Sequence, residues 1–235
     1  MRGGVALVAA AAVVLAAVAC PSTADTLALG RCQPDAREGL TCGTGDGAAR
    51  VIADTASPSE RLALAWRSPG RPPTEQPDDD EIELLLIRLS DGAILSRQKG
   101  AFWATGETHA NRKYEKAAWS PDSRLMVETY DTRFSTDGIT VYAIGADDTA
   151  RTLDLLKMVE PAVRAQLRRI VKDERAYVFS IHRLSIDGRG RIRTTVMMWV
   201  PKDGPSQAFE LTVEVSRKAA LAARITSIRR SREKL

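Results

Sequence analysis

Short stretches in which apolar and polar residues alternate, or short apolar runs, make up most of the chain after residue 57. This pattern predicts β-strands, because successive side chains of a strand point to opposite faces. Turn residues such as Asp, Gly, Pro and Ser separate the predicted strands, which lie at 61–66, 82–89, 93–97, 124–130, 139–144, 152–155, 175–180, 192–200 and 209–215. The final stretch, 221–235, fits either a strand or a helix. The sequence therefore predicts a mainly β protein built from antiparallel hairpins.

One segment has the periodicity of a helix. An apolar stripe recurs at helical spacing and consists of Leu156, Val159, Val163, Leu167 and Ile170. We predict an amphipathic helix around 161–172, inserted between strands, with Pro161 at its first position. Arg164, Arg168 and Lys172 line another face at four-residue spacing. This face is interpreted either as a basic interaction surface or as the solvated side of a helix packed on the sheet.

Three segments repeat one order of features: a turn rich in Pro or Asp, an Arg with an apolar strand, a polar loop and a second strand. Ser57, Pro58, Arg61 and Leu62 match Ser120, Pro121, Arg124 and Leu125 at an offset of 63. In the third segment, Asp173 and Arg175 repeat the spacing of Asp122 and Arg124 at an offset of 51. Internal repetition of this kind is typical of stacked or radial β architectures.

The segment 117–155 contains Trp119-Ser120-Pro121-Asp122-Ser123-Arg124-Leu125 and a following strand pair. It resembles the WD40-like β-propeller repeat of exported bacterial proteins, with weaker echoes at 57–95 and 172–200. The resemblance implies that Trp119 packs between blades and that Ser120, Pro121 and Asp122 form a turn, with Ser123 in place of the usual Gly. Blades recur at about 40–45 residues, and closed rings have about 4–8 of them. Three wider-spaced units therefore predict a partial or degenerate propeller, or a different antiparallel β-fold that uses blade-like hairpins.

The N-terminus predicts an export signal. Val5–Ala19 is a run of fifteen Ala, Val and Leu residues after Arg2, which is shorter than the roughly 20 apolar residues of a membrane-spanning helix. Cleavage after Ala24 would give a soluble periplasmic or secreted protein with a signal at 1–24. Alternatively, Ala17-Val18-Ala19-Cys20 is similar to a lipobox, so a signal at 1–19 would leave the protein lipid-anchored through Cys20. No later stretch is predicted to span a membrane.

Cys32 and Cys42 remain as a pair in either case, and an oxidising compartment favours a disulfide between them. A redox or metal site is the competing interpretation, but the C-x-x-C spacing and further ligands are missing. The disulfide would hold an irregular, Gly-rich N-terminal segment at 25–56, ahead of a single β-rich domain at 57–235.

Charge is distributed unevenly along the 235 residues. Residues 1–150 carry 15 Lys+Arg against 21 Asp+Glu, a balance of −6, whereas residues 151–235 carry 19 against 9, a balance of +10. The composition excludes a collagen, a long disordered chain and a polytopic membrane protein. After export, the basic half favours an envelope protein, a cell-wall polymer or an anionic membrane surface as partner, and argues against nucleic acid.

Candidate catalytic chemistry is sparse. The two histidines, His109 and His182, accompany no nucleophile signature, the acidic run 78–81 lacks the alternation of a calcium loop, and 187–190 lacks the Lys-Ser/Thr of a phosphate-binding loop. We therefore predict no catalytic, cofactor or metal site, and a non-catalytic envelope binding or interaction module. The alternative is an envelope hydrolase with carboxylates on β-loops, such as Asp122, Asp131 and Asp137.

Overall fold

The computed structural model of the protein describes residues 28–36, 39–73, 82–100, 114–132, 134–218 and 220–231. The predicted export signal with Cys20, the acidic run 78–81 and His109 lie outside the described residues. In the part of the chain that is described, no helix has the length and hydropathy needed to cross a membrane.

Three antiparallel sheets form the fold, and each is a meander in which consecutive strands are neighbours. The first sheet has six strands: β1 (Cys32–Pro34), β2 (Leu40–Cys42), β3 (Ala49–Val51), β4 (Leu62–Arg67), β5 (Glu83–Arg88) and β6 (Ile94–Lys99). The second has four: β7 (Tyr114–Trp119), β8 (Leu125–Asp131), β9 (Thr136–Ile144) and β10 (Ala150–Asp154). The third also has four: β11 (Val178–Ile186), β12 (Arg191–Trp199), β13 (Ser206–Ser216) and β14 (Ala222–Arg230). The prediction of a mainly β protein of antiparallel hairpins is confirmed, and the described residues do not close into a propeller.

The N-terminal segment is part of the first sheet rather than irregular. Cys32 and Cys42 are directly opposite each other in the β1–β2 pair, and the predicted disulfide joins them. Strand β3 pairs with β4, and the chain ahead of β1 returns to the start of β6 through a bridge between Ala28 and Ala93. Strands β4 and β5 are apolar on both faces because one face packs against the second sheet and the other covers a smaller cluster that includes Cys42, Ala49 and Leu85.

The second sheet lies between the other two. One face of β8 and β9 packs against β4 and β5 of the first sheet, through a cluster that includes Leu64, Trp66 and Met126. The opposite face packs against β11–β13, through a larger cluster that includes Val127 and Phe209. Side chains at odd-numbered and even-numbered positions of β8 point to opposite faces of the sheet. The strand therefore contributes residues to both interfaces.

The helix α1 (Leu156–Leu167) begins and ends about five residues earlier than predicted. The Asp154 carboxylate accepts a hydrogen bond from the Leu156 backbone N–H, which caps the helix there, so Pro161 lies inside the helix and not at its first position. At the other end, Ile170 N–H donates to the Leu167 carbonyl in a tighter turn that closes the helix. Ile170 is consequently 40% exposed and does not belong to the buried stripe.

Strand boundaries in the last part of the chain also differ from the prediction. The third unit has its first strand at Val178–Ile186, where 175–180 was predicted, because the segment Glu174–Ala176 forms a 3-10 turn and the strand continues to the Asp187 turn. The C-terminal stretch, for which strand and helix were both open, forms strand β14 and pairs with β13. These differences leave the hairpin order unchanged.

The turns that begin β4 and β8 have the same hydrogen bonds. In the first, Ser57 N–H donates to the Leu62 carbonyl, and the Ser57 hydroxyl accepts from Leu62 N–H at 3.1 Å. In the second, Ser120 and Leu125 make the same two bonds, with the hydroxyl contact at 2.9 Å. One local geometry is therefore built twice, at positions that are 63 residues apart in the sequence.

These two turns also touch each other across the interface of the first and second sheets. The backbone N–H of Ser59 donates to the Ser123 hydroxyl at 3.1 Å. Trp119 is half-buried in the same interface, and its indole N–H donates to the Thr55 carbonyl at 2.8 Å. Both bonds are directional, so they fix how the two sheets are placed against each other.

Candidate functional site

The basic face predicted on the helix is largely neutralised by nearby carboxylates. Arg164 lies 2.8 Å from Glu160 and also donates to the backbone carbonyls of Glu174 and Tyr177, so it holds the helix onto the following turn. Arg168 lies 2.9 Å from Glu174. Lys172 is exposed but lies beyond the end of the helix. The three residues therefore do not form a helical row of free cations.

A different set of cations lines a groove at one end of the third sheet. We call this concavity the basic groove; its volume is about 450 Å³, and its polar lining consists of Arg189, Arg191, Glu214, Ser216, Lys218 and Arg224. The β11–β12 turn forms one wall and the β13–β14 connection forms the other. Both connections lie at the same end of the sheet because β11 to β14 form an antiparallel meander.

The β11–β12 turn is held in place by Asp187 and Gly190. The Asp187 carboxylate accepts from the backbone N–H groups of Arg189 and Arg191, which lowers the pKa of Asp187, mainly through the Arg191 bond. Gly190 has a φ of +78°, and its carbonyl accepts from Val215 N–H at 2.8 Å. A Cβ at this position would lie 2.7 Å from the Val215 carbonyl oxygen, so only glycine allows the turn to approach β13 so closely.

The basic groove carries an excess of positive charge. Four cationic side chains line it against one carboxylate, Glu214. Glu214 is 2.6 Å from Arg224 and 3.9 Å from Arg191. Arg189 and Lys218 are exposed, and neither has an ion-pair partner among the described residues. The groove therefore presents two unpaired cations from its two walls, which is the arrangement that attracts an anion.

Sequence analysis identified the basic half of the chain but missed this groove. Arg189 and Lys218 are nearly 30 residues apart, and only the pairing of β12 with β13 brings their turns together. A usable signal existed, since both cations lie at the ends of predicted strands, in turns two strands apart. Glu160, four residues before Arg164, also indicated that the helix face would be neutralised.

The three carboxylates of the hydrolase alternative are not brought together. Asp122 lies in the turn before β8, where it accepts from the Ser120 hydroxyl and Arg124 N–H and lies 3.6 Å from Arg217. Asp131 ends β8, about 20 Å away along the strand. Its two oxygens are already bound by Thr136 and Lys116. Asp137 is exposed on β9 and follows Thr136, the strand partner of Asp131, so two of the three lie at one end of the hairpin and Asp122 lies at the other.

Two buried glutamates with raised pKa values lie between the first and second sheets. Burial raises the pKa of Glu115 well above its usual range, and repulsion from Glu128 raises it further. Burial also raises the pKa of Glu128, which accepts hydrogen bonds from the Tyr142 hydroxyl and from Glu115. Gln98 donates to Tyr142 at 2.9 Å and completes the network. Both glutamates are enclosed and line neither groove nor cleft, so the network is an interior one.

A second concavity lies where the second sheet meets the third. We call it the aromatic cleft; it has a volume of about 430 Å³, and its lining includes Lys116, Asp131, Phe134, Ser180, His182 and Trp199. The Ser180 hydroxyl is 3.2 Å from His182 Nε2. A serine–histidine pair in catalysis needs a third group that orients the imidazole. Among the described residues no carboxylate is hydrogen-bonded to His182, so this pair is not a catalytic triad.

Among the described residues, no group of three or more His, Cys, Asp and Glu side chains is placed to hold a metal ion. Comparison of the chain with protein-family models and with curated proteins finds no match. The functional argument therefore rests on the basic groove and the aromatic cleft.

Proposed function

We propose that this chain is an exported, non-catalytic binding module that holds an anionic polymer of the cell envelope in the basic groove. The observation that carries the proposal is the cationic lining of a concave surface, with Arg189 and Lys218 unpaired among the described residues. Fixed cations on low-dielectric walls focus the field and raise the local concentration of an anionic ligand.

Export is supported by the charged start and apolar run of the N-terminus. The Cys32–Cys42 disulfide agrees with it, because disulfides persist mainly in oxidising compartments. The proposal holds whether the mature chain begins after Ala24 or is anchored through Cys20. In both cases the anionic partner that we expect is a cell-wall polymer and not nucleic acid.

The shape of the groove favours a polymer strand over a planar membrane. Its cations line a concavity between two connections, with Arg189 on one wall and Lys218 on the other. A flat bilayer would contact the projecting turns, whereas a single strand can enter between them and meet both walls. We therefore commit to a polymer and treat a membrane surface as an outcome of the test.

We further propose that the units at 57–95 and 117–155 are copies of one WD40-like blade repeat, with a third copy at 172–200. The identical hydrogen bonds of the Ser57 and Ser120 turns support this. The Asp173 carboxylate accepts from Arg175 N–H as Asp122 accepts from Arg124 N–H, which supports the third copy. Under this proposal the basic groove is a feature of the end of the last blade where its β11–β12 and β13–β14 connections lie.

The test is the binding of sulfated dextran to the full chain, measured by calorimetry at low and high salt. The double variant Arg189→Gln/Lys218→Gln removes the two unpaired groove cations. We expect its affinity to fall about tenfold, and wild-type binding to weaken as salt screens the charges. The matched control, Arg168→Gln/Lys172→Gln, removes the same charge from the helix side and is expected to change affinity less than about twofold.

Equal losses in the two double variants would show that overall charge and not the groove binds the polymer, which contradicts the proposal. Binding that is unchanged at high salt would also contradict it. Vesicles containing anionic phospholipid form the second arm. If they bind and sulfated dextran does not, the ligand surface is a membrane and the polymer assignment is wrong.

A further inference from the structure

The aromatic cleft has one apolar wall made of side chains that remain partly accessible. Phe134 follows β8 and is 42% exposed, and its ring centroid is 6.0 Å from that of Trp199 at a tilt of 54°. Met197 lies on the same face of β12 as Trp199, two residues away. Among the described residues, Phe134 and Ile170 are the two large apolar side chains that are exposed to solvent. An accessible aromatic pair inside a concavity is a typical ligand platform.

The rest of the lining, which we call the polar wall, offers both donors and acceptors. The Lys116 ammonium lies 2.8 Å from Asp131, and it has further N–H groups that can reach a ligand. Ser180 and His182 lie beside this ion pair on β11. The cleft therefore combines an aromatic wall with several hydrogen-bonding groups.

The polar wall is held rigidly because it bridges two sheets. The Thr136 hydroxyl accepts from Ile181 N–H at 2.8 Å, and it donates to the Asp131 carboxylate. This pair of bonds ties the end of β8 to β11, directly behind the lining residues. A site that is fixed before binding loses less entropy when the ligand arrives.

The aromatic cleft is close to electrically neutral, in contrast to the basic groove. Lys116 and Asp131 are the only residues with opposite full charges in its lining, and they neutralise each other. Burial lowers the pKa of His182, and the charge of Lys116 lowers it further, so the imidazole is uncharged at neutral pH. A neutral ligand is therefore complementary to this cleft.

We infer that the aromatic cleft binds a neutral sugar ring, with its apolar C–H face on Phe134 and Trp199 and its hydroxyl groups on Lys116 and Ser180. A sugar ring has one face without hydroxyl groups and an edge rich in them, which matches the two walls. The volume of about 430 Å³ is within the roughly 300–1,000 Å³ of small-ligand sites. This site is separate from the basic groove, since the two lie at opposite ends of β12, about 26 Å apart.

The test is a calorimetric titration of the full chain with chitotetraose, cellotetraose and maltotetraose. We expect saturable binding of at least one of them and a loss of about tenfold in affinity in Phe134→Ala and in Trp199→Ala. Ile170→Ala is the matched control, because Ile170 is exposed to a similar extent but lies outside the cleft. Circular dichroism of each variant separates loss of binding from loss of the fold, and Trp199→Phe retains an aromatic wall if Trp199→Ala does not fold.

The absence of saturable binding by all three oligosaccharides up to about 10 mM would overturn the inference. Equal binding by Phe134→Ala and Ile170→Ala would overturn it as well. Arg189→Gln/Lys218→Gln is expected to leave the binding of these neutral sugars unchanged. Failure of the sugar site therefore leaves the proposed anion-binding function standing, and failure of the groove leaves the sugar site standing.

Discussion

The second sheet meets its two neighbours through interfaces of opposite character. Toward the third sheet, its side chains and those of α1 join a cluster of buried apolar residues that includes Val141, Val163 and Phe209. Toward the first sheet, apolar contacts surround a polar network centred on Glu115 and Glu128. One interface depends on non-directional burial, whereas the other also requires that each enclosed polar atom finds a partner.

The polar interface lowers the stability of the fold but fixes the position of the first sheet against the second. Glu115 Oε2 is buried and has no hydrogen-bond partner among the described residues. In return, Gln98 bonds to Tyr142, Trp119 bonds to the Thr55 carbonyl, and Ser123 accepts from Ser59 across the two sheets. Directional bonds of this kind specify one register between sheets, which an apolar surface alone does not.

The largest effect is expected at the apolar interface. Phe209→Ala removes a fully buried ring from the centre of the third sheet and leaves a cavity, so we expect a loss of about 3–5 kcal/mol in the free energy of unfolding. Chemical denaturation measures this loss. Phe134→Ala is the control, because its ring is exposed and its removal is expected to change stability by less than about 0.5 kcal/mol. Similar values for the two variants would mean that this interface is not the main apolar support of the fold.

At the polar interface we expect a smaller change in the free energy of unfolding, and this change is a gain in stability. Burial and repulsion raise the pKa of Glu115 in the fold, so the folded protein holds this proton more tightly than the unfolded chain does. The resulting stabilisation is present below the unfolded pKa of about 4.3 and is lost as pH rises through the folded value. Glu115→Gln stays neutral at every pH and also supplies donors, so we expect it to stabilise the protein at pH 8 by about 1–2 kcal/mol.

Denaturation of the wild type and Glu115→Gln between pH 4 and pH 8 checks this prediction. The advantage of the variant is expected to shrink toward pH 4, where Glu115 itself is protonated in both states. Glu210→Gln serves as the control, because Glu210 is exposed on β13. A constant difference between wild type and Glu115→Gln across this range would contradict the assignment of the pH dependence to Glu115.

The smallest change in stability is expected at the two turns that meet between the first and second sheets. Glu60 and Ser123 occupy equivalent positions with φ values of 54° and 57°, a region that favours glycine. Glu60 is exposed, so Glu60→Gly is expected to stabilise the protein by about 0.5–1 kcal/mol. Ser123→Gly relieves the same strain but removes the acceptor of Ser59 N–H, so we expect it to be about 1 kcal/mol less favourable. Thermal unfolding compares them, and equal effects would show that the bond between the turns contributes nothing.

Most strands could be predicted from the sequence, whereas the helix boundaries could not. Alternation is a property of neighbouring residues, so the strands β8, β12 and β13 lie within a few residues of their predicted positions. The start of α1 depends on whether the Asp154 carboxylate binds the first free N–H or Pro161 takes the first helical position, and the structure has the former. The pattern of apolar residues alone does not decide between them.

The candidate sites were less accessible to prediction. The sequence left the basic helix face open as either an interaction surface or a solvated face, and in the structure Arg164 and Arg168 meet Glu160 and Glu174 there. The basic groove needs Arg189 and Lys218 from two connections, and the aromatic cleft needs Phe134 from one sheet and Trp199 from another. Neither pairing leaves a periodic signal along the chain.

The sequence by itself determined the mainly β class, the hairpin order and the Cys32–Cys42 disulfide, because each follows from residue types and spacing within a short segment. The tertiary structure decided which cations remain unpaired, which carboxylates are enclosed and which aromatic rings meet. These outcomes depend on partners that are tens of residues away. Electrostatic and packing energies depend on distance in space, and only the stacking of the three sheets sets that distance.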